Sequence, residues 1–555
     1  MPNRVESTRS ARHSSGGMAP HEENWSEGMD PGLVPDWARG LRILHIGNVA
    51  NNAYRNATLL NEAGLDCDVI CYDYYHLMGS PEWEDADIDG VIHDHFYPNW
   101  SSVNLHGFRR PRWFAQGPME TCLRYLLARR RRQRVSAHLW WLKMEMQRRW
   151  LSMVRMPLGR SPALVRVVRV LRGLPGRVAS SVAAWIRARP RLRAIARTVR
   201  RTFWPTPVGV SGLPTPVPVG DEFAMRAQEL VREFHQVFPH RTDQLTLQDM
   251  EGLRPHYAQW KLLLAEYDIV QGYSTDPIFP LLCGKRPYVG FEHGTLREIP
   301  FDSTAQGRMT ALSYALADGV FITNGDCLAS VPKLHIRNAA PMLHAVDERK
   351  FDQIGRAVED WHVRYGVRYL FLCPLRHDWK IKGTDVYLRA LPMLAQALRR
   401  DCRLLVTAWG NEVEASKQLI RELGVEDLVV WLDPIPRRRL VEIQKSIDVV
   451  FDQIALPCFG GTAPDAIAAG VPVLMSYDPR STDWIVSEPA PILTAWSVED
   501  VVRQTLQALH PDWRAEYRSR ARRWTREQHS YRRVVAGHID MYKKIREAPG
   551  ASALG

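Results

Sequence analysis

A chain of 555 residues exceeds what one hydrophobic core serves, since cores stop growing near roughly 250 to 300 residues, so at least two domains are expected. With 45% hydrophobic and 24% charged residues the composition is that of an ordinary globular protein, which excludes a wholly disordered chain. The formal charge of +12 hides an asymmetry: residues 124–201 hold 21 Arg and one Lys against the single acid Glu145, a net of +21, while the other 51 bases and 60 acids give −9.

Residues 1–40 carry scattered charges with Ser, Gly and Pro, have neither the apolar core nor the cleavage site of a secretory signal, and read as a disordered tail. Leu41–Ile46 is a buried-strand pattern followed by Gly47-Asn48 and a helical stretch, Asn56–Ala63, that stops at Gly64. Asp68–Tyr72 is the next strand, and strand, glycine turn, helix, strand opens a doubly wound α/β domain. No G-x-G-x-x-G occurs there, which disfavours a nicotinamide enzyme.

From about residue 98 to 256 basic helical text interrupts the pattern and reads as an insertion. The alternation resumes with Tyr267–Tyr273, Arg286–Gly294 and Ala317–Thr323, and leaves the domain through Ala345–Phe351. A second βα series begins near Tyr369, with Tyr387, Leu391, Leu394 and Leu398 on one helical face. Leu404–Trp409, Asp427–Leu432, Asp448–Phe451 and Val471–Met475 are its further strands. The expected architecture is α/β, with two tandem Rossmann-like domains at 41–350 and 351–512. A basic helical segment at 513–546 would pack back across them.

Chemistry concentrates at predicted strand ends. Arg376 and Lys382 precede Gly383 and a helix expected to start at Thr384; two cations beside a helix amino-terminus suit a diphosphate, whereas either alone would read as solvated charge. Gly410 closes another strand end. Gly460, Gly461 and Thr462 precede Pro464, which suits a first helical turn because it lacks the N–H that would go unsatisfied there. Asp465 then either complements the helix dipole or binds a ribose diol, and its place beside a double glycine favours the diol. His293, at a strand end before Gly294, is a candidate to face the same interdomain region; Glu292 and Glu298 are weaker neighbours. Asp85-Ala-Asp87 and Asp87-Ile-Asp89 match the letters of a metal-binding D-x-D, but with no strand leading in they read as a solvated acidic loop, and no metal is expected.

The basic segment mixes Arg129, Arg130, Arg131 and Arg132 with Trp140, Trp141 and Trp150, a composition suited to the interface of an anionic membrane. Nucleic acid is the competing polyanion and is disfavoured because no RNA-module pattern accompanies the charge. No apolar run reaches the about 18 residues of a spanning helix, and the eight cysteines form no Cys-x-x-Cys pair. The expected location is therefore the cytoplasm, peripheral to the membrane's inner face.

Arg376 with Lys382-Gly383, His293-Gly294, Val346-Asp347, Phe351 and the block from Phe459-Gly460 to Gly470-Val-Pro-Val473 resemble the retaining glycosyltransferases of family 4, of GT-B fold. The resemblance implies that Arg376 and Lys382 grip the donor diphosphate and that His293 lies beside the transferred sugar. It also implies Gly47, Asn48, Gly383, Gly410, Gly460, Gly461, Thr462 and Asp465 around a nucleotide-sugar donor, with no metal or other cofactor. The acceptor would be a glycan or lipid-linked saccharide. The chain departs from the family's two-glutamate motif, with Pro457 at the first position and Asp465 at the second, and its first-domain loop reads Gly47-Asn-Val-Ala-Asn-Asn52. A nucleotide-sugar epimerase of the same fold, or a non-catalytic polyanion-binding or membrane-binding protein, are the alternative readings.

Overall fold

The computed structural model describes residues 29–30, 32–158, 220–353, 360–457 and 459–547. The first domain is a parallel sheet of β1 (Arg42–Ile46), β2 (Asp66–Tyr72), β3 (Phe114–Gly117), β4 (Ile269–Tyr273), β5 (Tyr288–Phe291), β6 (Gly319–Ile322) and β7 (Ala339–Pro341), in the order β3-β2-β1-β4-β5-β6-β7. Its strands lack apolar–polar alternation because helices cover both faces, and from Ile43 to Ile46 every residue of β1 is buried. Strand order reverses between β1 and β4, where Ile46 is paired with both Ile70 and Gly272. Such a switch point opens a crevice at the carboxyl ends of the strands.

Helix α1 (Asn52–Glu62) follows β1 and buries Ala53, Ala57 and Leu60, while α2 (Pro81–Asp85) is a short turn with proline at its first position. The text read as an insertion is part of this domain. Within it, β3 pairs with β2 at the sheet edge, and α3 (Met119–Arg130), α4 (Arg134–Leu158) and α5 (Gly220–Val237) contribute Leu126, Met144 and Phe234 to the same core as Ile70 and Tyr288. Residues 159–219 lie outside the described ones. The expected tail is also shorter than residues 1–40, since Val34 and Ala38 are buried beside Ile43.

The second domain is a six-stranded parallel sheet of β8 (Tyr369–Cys373), β9 (Cys402–Thr407), β10 (Val429–Leu432), β11 (Val449–Phe451), β12 (Val473–Met475) and β13 (Ile492–Thr494), ordered β10-β9-β8-β11-β12-β13. Its switch point lies between β8 and β11. Helix α6 (Thr384–Ala397) begins at the expected residue and packs Tyr387, Leu391 and Leu394 on the sheet; α7 (Arg437–Gln444) and α8 (Thr462–Ala468) follow β10 and β11. The protein is thus an α/β chain of two Rossmann-like domains.

The carboxyl-terminal segment is two helices. Helix α9 (Pro511–Gln528) buries Tyr517 and Trp524 in the second domain, and α10 (Tyr531–Glu547) buries Val535, Ile539 and Tyr542 in the first. Each fully buried large apolar side chain contributes about 1.5–3 kcal/mol, so both helices are firmly anchored, each to a different domain. The break between them is held by His529 Nε2, 2.6 Å from the carbonyl oxygen of His344, and by the backbone N–H of Tyr531, which donates to Glu348 at 2.8 Å.

Candidate functional site

The carboxyl edges of the two sheets face one another across a cleft of about 1040 Å³. On the second-domain side, the loop after β8 carries Arg376 and Lys382. It is pinned at three points: His377 bridges Gly410, the Lys382 N–H donates to the carbonyl of Asp378 at 2.7 Å, and the Ile454 N–H donates to the carbonyl of Lys382 at 2.9 Å. Gly383 caps α6 with φ +66°, and a Cβ there would fall 2.5 Å from Ile454, so glycine is needed both for the turn and for the close approach of the next loop.

Arg376 is exposed at the cleft and pairs with Asp378 at 3.0 Å. The Lys382 ammonium donates to the side-chain oxygen of Gln453, beside Asp452. Asp452 is buried and accepts from the N–H groups of Gln453 at 2.8 Å and Ala463 at 3.0 Å; burial raises its pKa, with Lys382 opposing. Asp452 therefore fixes the start of α8, and with it the backbone of Gly460, Gly461 and Thr462 along the cleft wall. Gly410 lines the same wall, with Trp409 and Asn411 after β9.

Asp465 also lines the cleft, but its carboxylate is engaged by Arg437 at the start of α7. Arg437 in turn reaches Glu84 of α2, in the other domain, at 3.1 Å, and Glu84 takes two hydrogen bonds from Arg55 at 2.7 and 2.9 Å. Arg55, Glu84, Arg437 and Asp465 form one alternating chain of charge across the cleft floor, with side-chain exposures of 18%, 6%, 12% and 2%. Burial pushes the Asp465 pKa up to about 6 against the pull of Arg437.

Of the acidic stretch read as a solvated loop, Asp87 and Asp89 are exposed as expected, whereas Asp85 and the preceding Glu82 and Glu84 of α2 are committed to partners. Glu82 is buried against Arg110 at 2.6 Å, Glu84 belongs to the charge chain, and Asp85 pairs with Lys350 at 2.7 Å and accepts from the Tyr54 hydroxyl at 2.6 Å.

The first-domain lip is the turn Val49-Ala50-Asn51, in which Ala50 and Asn51 take left-handed φ values of 50° and 57°. Such backbone costs about 1–2 kcal/mol per residue and is held in place by its surroundings. Asn48 does the holding: its Oδ1 accepts from the Tyr54 N–H at 2.9 Å, and its Nδ2 donates to Asn51 at 2.9 Å and to the Gly79 carbonyl at 3.0 Å. Neither Asn48 nor Gly47 lines the cleft. A Cβ on Gly47 would fall 2.2 Å from the Asp276 carboxylate, whose pKa burial pushes up to about 7.

His293 is likewise not brought to the cleft wall. Its ring stacks on His344 at 5.7 Å and on Tyr273 at 5.5 Å, its Nδ1 lies 3.4 Å from the Asn52 amide nitrogen, and its Nε2 is buried with no hydrogen-bond partner among the described residues. Burial lowers its pKa to about 3, so the ring is neutral at pH 7.

The residues expected at a membrane divide. Arg130 is buried between Asp66, Asp68 and the Tyr267 ring, Arg129 pairs with Asp68 at 2.7 Å, and Arg131 with Glu266 at 2.8 Å. Trp141 is buried in the core, Trp140 lies half-buried between Arg124 and Lys143, and Trp150 is half-buried. Arg132 is exposed. Arg130 and Trp141 are buried in the first domain, which corrects their assignment as membrane contacts, while Arg129 and Arg131 are paired but keep 30% and 31% of their side chains exposed.

Sequence reasoning missed Arg437, Glu84 and Arg55. The signal for Arg437 was present: it follows Pro434-Ile-Pro436 after β10, another strand end opening a helix.

Fold and cleft together define a two-domain α/β protein with a large cleft between facing sheet edges, the place where such folds bind ligands. Residues 364–527, from just before β8 to α9, match the family model described as Glycosyl transferases group 1. An uncharacterised glycosyltransferase of Methanocaldococcus jannaschii is 26% identical over 171 residues, 30% of this chain and 43% of that protein. The D-inositol 3-phosphate glycosyltransferase of Saccharomonospora viridis is 30% identical over 186 residues, 31% of this chain and 42% of that one. The chain spans less than half the length of these curated relatives. Among solved structures, Anabaena HepE in complex with UDP is similar at a TM-score of 0.44 and 14% identity, covering 54% of this chain and 84% of that one.

Proposed function

We propose that the protein is a glycosyltransferase that moves a sugar from a nucleotide-diphosphate donor to an acceptor hydroxyl of a glycan or lipid-linked saccharide. The observation that carries the reading is the convergence of Arg376, Lys382 and the Gly460–Thr462 backbone on one interdomain cleft, in the part of the chain that matches the glycosyltransferase family model. The bond from the anomeric carbon to the diphosphate oxygen breaks, a bond to the acceptor oxygen forms, and the acceptor's proton passes to the departing diphosphate. Negative charge develops on the departing diphosphate, where Lys382, Arg376 and the α8 amino-terminus offset it. Asp465, oriented by Arg437, takes the ribose, and Trp409 and Ile435 give the base an apolar wall. Retention of configuration is part of the proposal through the family resemblance.

His293 acts in this reading as a positioning residue. Through Asn52 it supports the turn that forms the first-domain lip. The two cations take the place of a metal, so turnover should be insensitive to a chelator.

The test is a panel of nucleotide sugars scored by thermal stabilisation and by release of nucleoside diphosphate with and without EDTA. A ligand present at a hundred times its dissociation constant stabilises the folded state by about 2.7 kcal/mol. One nucleotide sugar should do this and be consumed at the same rate in EDTA; no stabilisation by any member would refute the reading.

A further inference from the structure

Away from the cleft, the outer face of α4 carries Val135, Leu139, Leu142 and Met146, at spacings of four, three and four. At 3.6 residues per turn these project within about 60° of arc. They are 74%, 61%, 44% and 54% exposed. The opposite face is the packed one, where Trp141 and Met144 enter the first-domain core and Arg148 reaches toward Glu82 at 3.7 Å. A single exposed leucine is ordinary; four large apolar side chains in one stripe form a surface that calls for a partner. The borders of the stripe are cationic. Arg132, Arg134 and Arg149 are exposed, Lys143 lies over the Trp140 ring, and Glu145, the one acid in the helix sequence, is neutralised by Arg148 at 2.7 Å.

We infer that this stripe is the docking surface for an anionic lipid membrane, with the apolar side chains entering the headgroup boundary and the flanking arginines meeting anionic headgroups. Charge selects this occupant. The chain after α4, residues 159–219, contains twelve Arg and no acid, so it shares the sign of Arg132, Arg134 and Arg149. Like charge opposes a second copy of the same helix, whereas an anionic surface attracts Arg132, Arg134 and Arg149.

Position points the same way. Phe96, 68% exposed, lines the cleft, and the residues just after it, Tyr97, Pro98 and Trp100, line a small cavity with Arg148 and Ser152 of α4. One loop thus links the cleft to the packed face of the stripe-bearing helix. Only the use made of docking, delivery of a lipid-linked acceptor, rests on the proposed function.

The experiment is co-sedimentation of the full chain with vesicles of phosphatidylcholine alone or mixed with phosphatidylglycerol. The wild type should bind the mixed vesicles at least about tenfold more tightly than the neutral ones, and less tightly as salt is added. The double variant Leu139→Asp/Leu142→Asp should lose about tenfold or more of that binding, since a charge is disfavoured where an apolar side chain entered the interface. Its thermal midpoint, oligomeric state and stabilisation by nucleotide sugar should not change, because both positions are exposed and outside the cleft. Wild-type protein that ignores the mixed vesicles, or a double variant that sediments like wild type, overturns the inference. A double variant that is destabilised or altered in oligomeric state also overturns it, by showing that residues 159–219 or a second copy cover the stripe. Failure of every nucleotide sugar to stabilise the wild type would count against the proposed function and leave the vesicle result standing.

Discussion

The two walls of the cleft are built on opposite plans. On the second-domain wall, cations and glycine backbone stand at strand ends: Arg376 is exposed, Lys382 reaches only a neutral amide among the hydrogen bonds described, and a Cβ on Gly461 would meet nothing within 4 Å. Along the first-domain wall, charge is committed inside the protein, with Arg55 on Glu84, Lys350 on Asp85 and Arg110 on Glu82. A wall that must receive an anion keeps its cations at the exposed edge, where Arg376 makes a solvent-facing pair with Asp378, and a wall that must hold its shape buries its pairs. Arg437 belongs to both plans, since one guanidinium spans Glu84 of the first wall and Asp465 of the second.

Breaking that joint should have the largest effect. Arg437→Met leaves the Asp465 carboxylate buried without its cation, and removing one partner of such a pair costs about 3–5 kcal/mol. Urea unfolding at pH 8 should show this loss, and at pH 5 a smaller one. The sign follows from Asp465, whose raised pKa of about 6 means that it is protonated, and no longer needs the cation, below that pH. An equal loss at both values would separate Arg437 from Asp465.

A smaller effect concerns ligand. If the ionised form of Asp465 takes the ribose, affinity for nucleoside diphosphate should hold above its pKa of about 6 and fall by about tenfold between pH 7 and pH 5, as measured by titration calorimetry. Asp465→Asn should bind more weakly at pH 7 and show a flatter profile. A profile identical to wild type in the variant would remove Asp465 from the site.

The contrast between the walls also explains what the sequence could tell. The parallel sheets were legible because β1, β8 and β9 are short apolar runs ending in Gly or Pro text, and the second-domain wall was legible because its groups sit just after those strands. The first-domain wall was hidden because its pairs join distant positions: nothing local announces Arg110, Arg55, Lys350 or Arg437 as partners of Glu82, Glu84 and Asp85, so the acidic stretch read as solvated throughout, which holds for Asp87 and Asp89 only. Strand β3 was hidden for a related reason, as Phe-Ala-Gln-Gly is too short to show a period amid basic helical text. Likewise, the arginines at 129–131 looked like a surface patch because their partners Asp66, Asp68 and Glu266 lie on other elements. His293 was rightly placed at a strand end, but sequence does not tell which way a ring turns, and this one turns toward His344.

The proposed function requires that Lys382 and Arg376 of the second-domain wall hold the diphosphate of an activated sugar. Single-turnover transfer and donor titration, compared between wild type and Lys382→Ala, test it most directly. Loss of one such electrostatic donor commonly slows the chemical step by roughly a hundredfold or more, so that decrease is expected in a variant that remains folded. Transfer at the wild-type rate by the folded variant would contradict it.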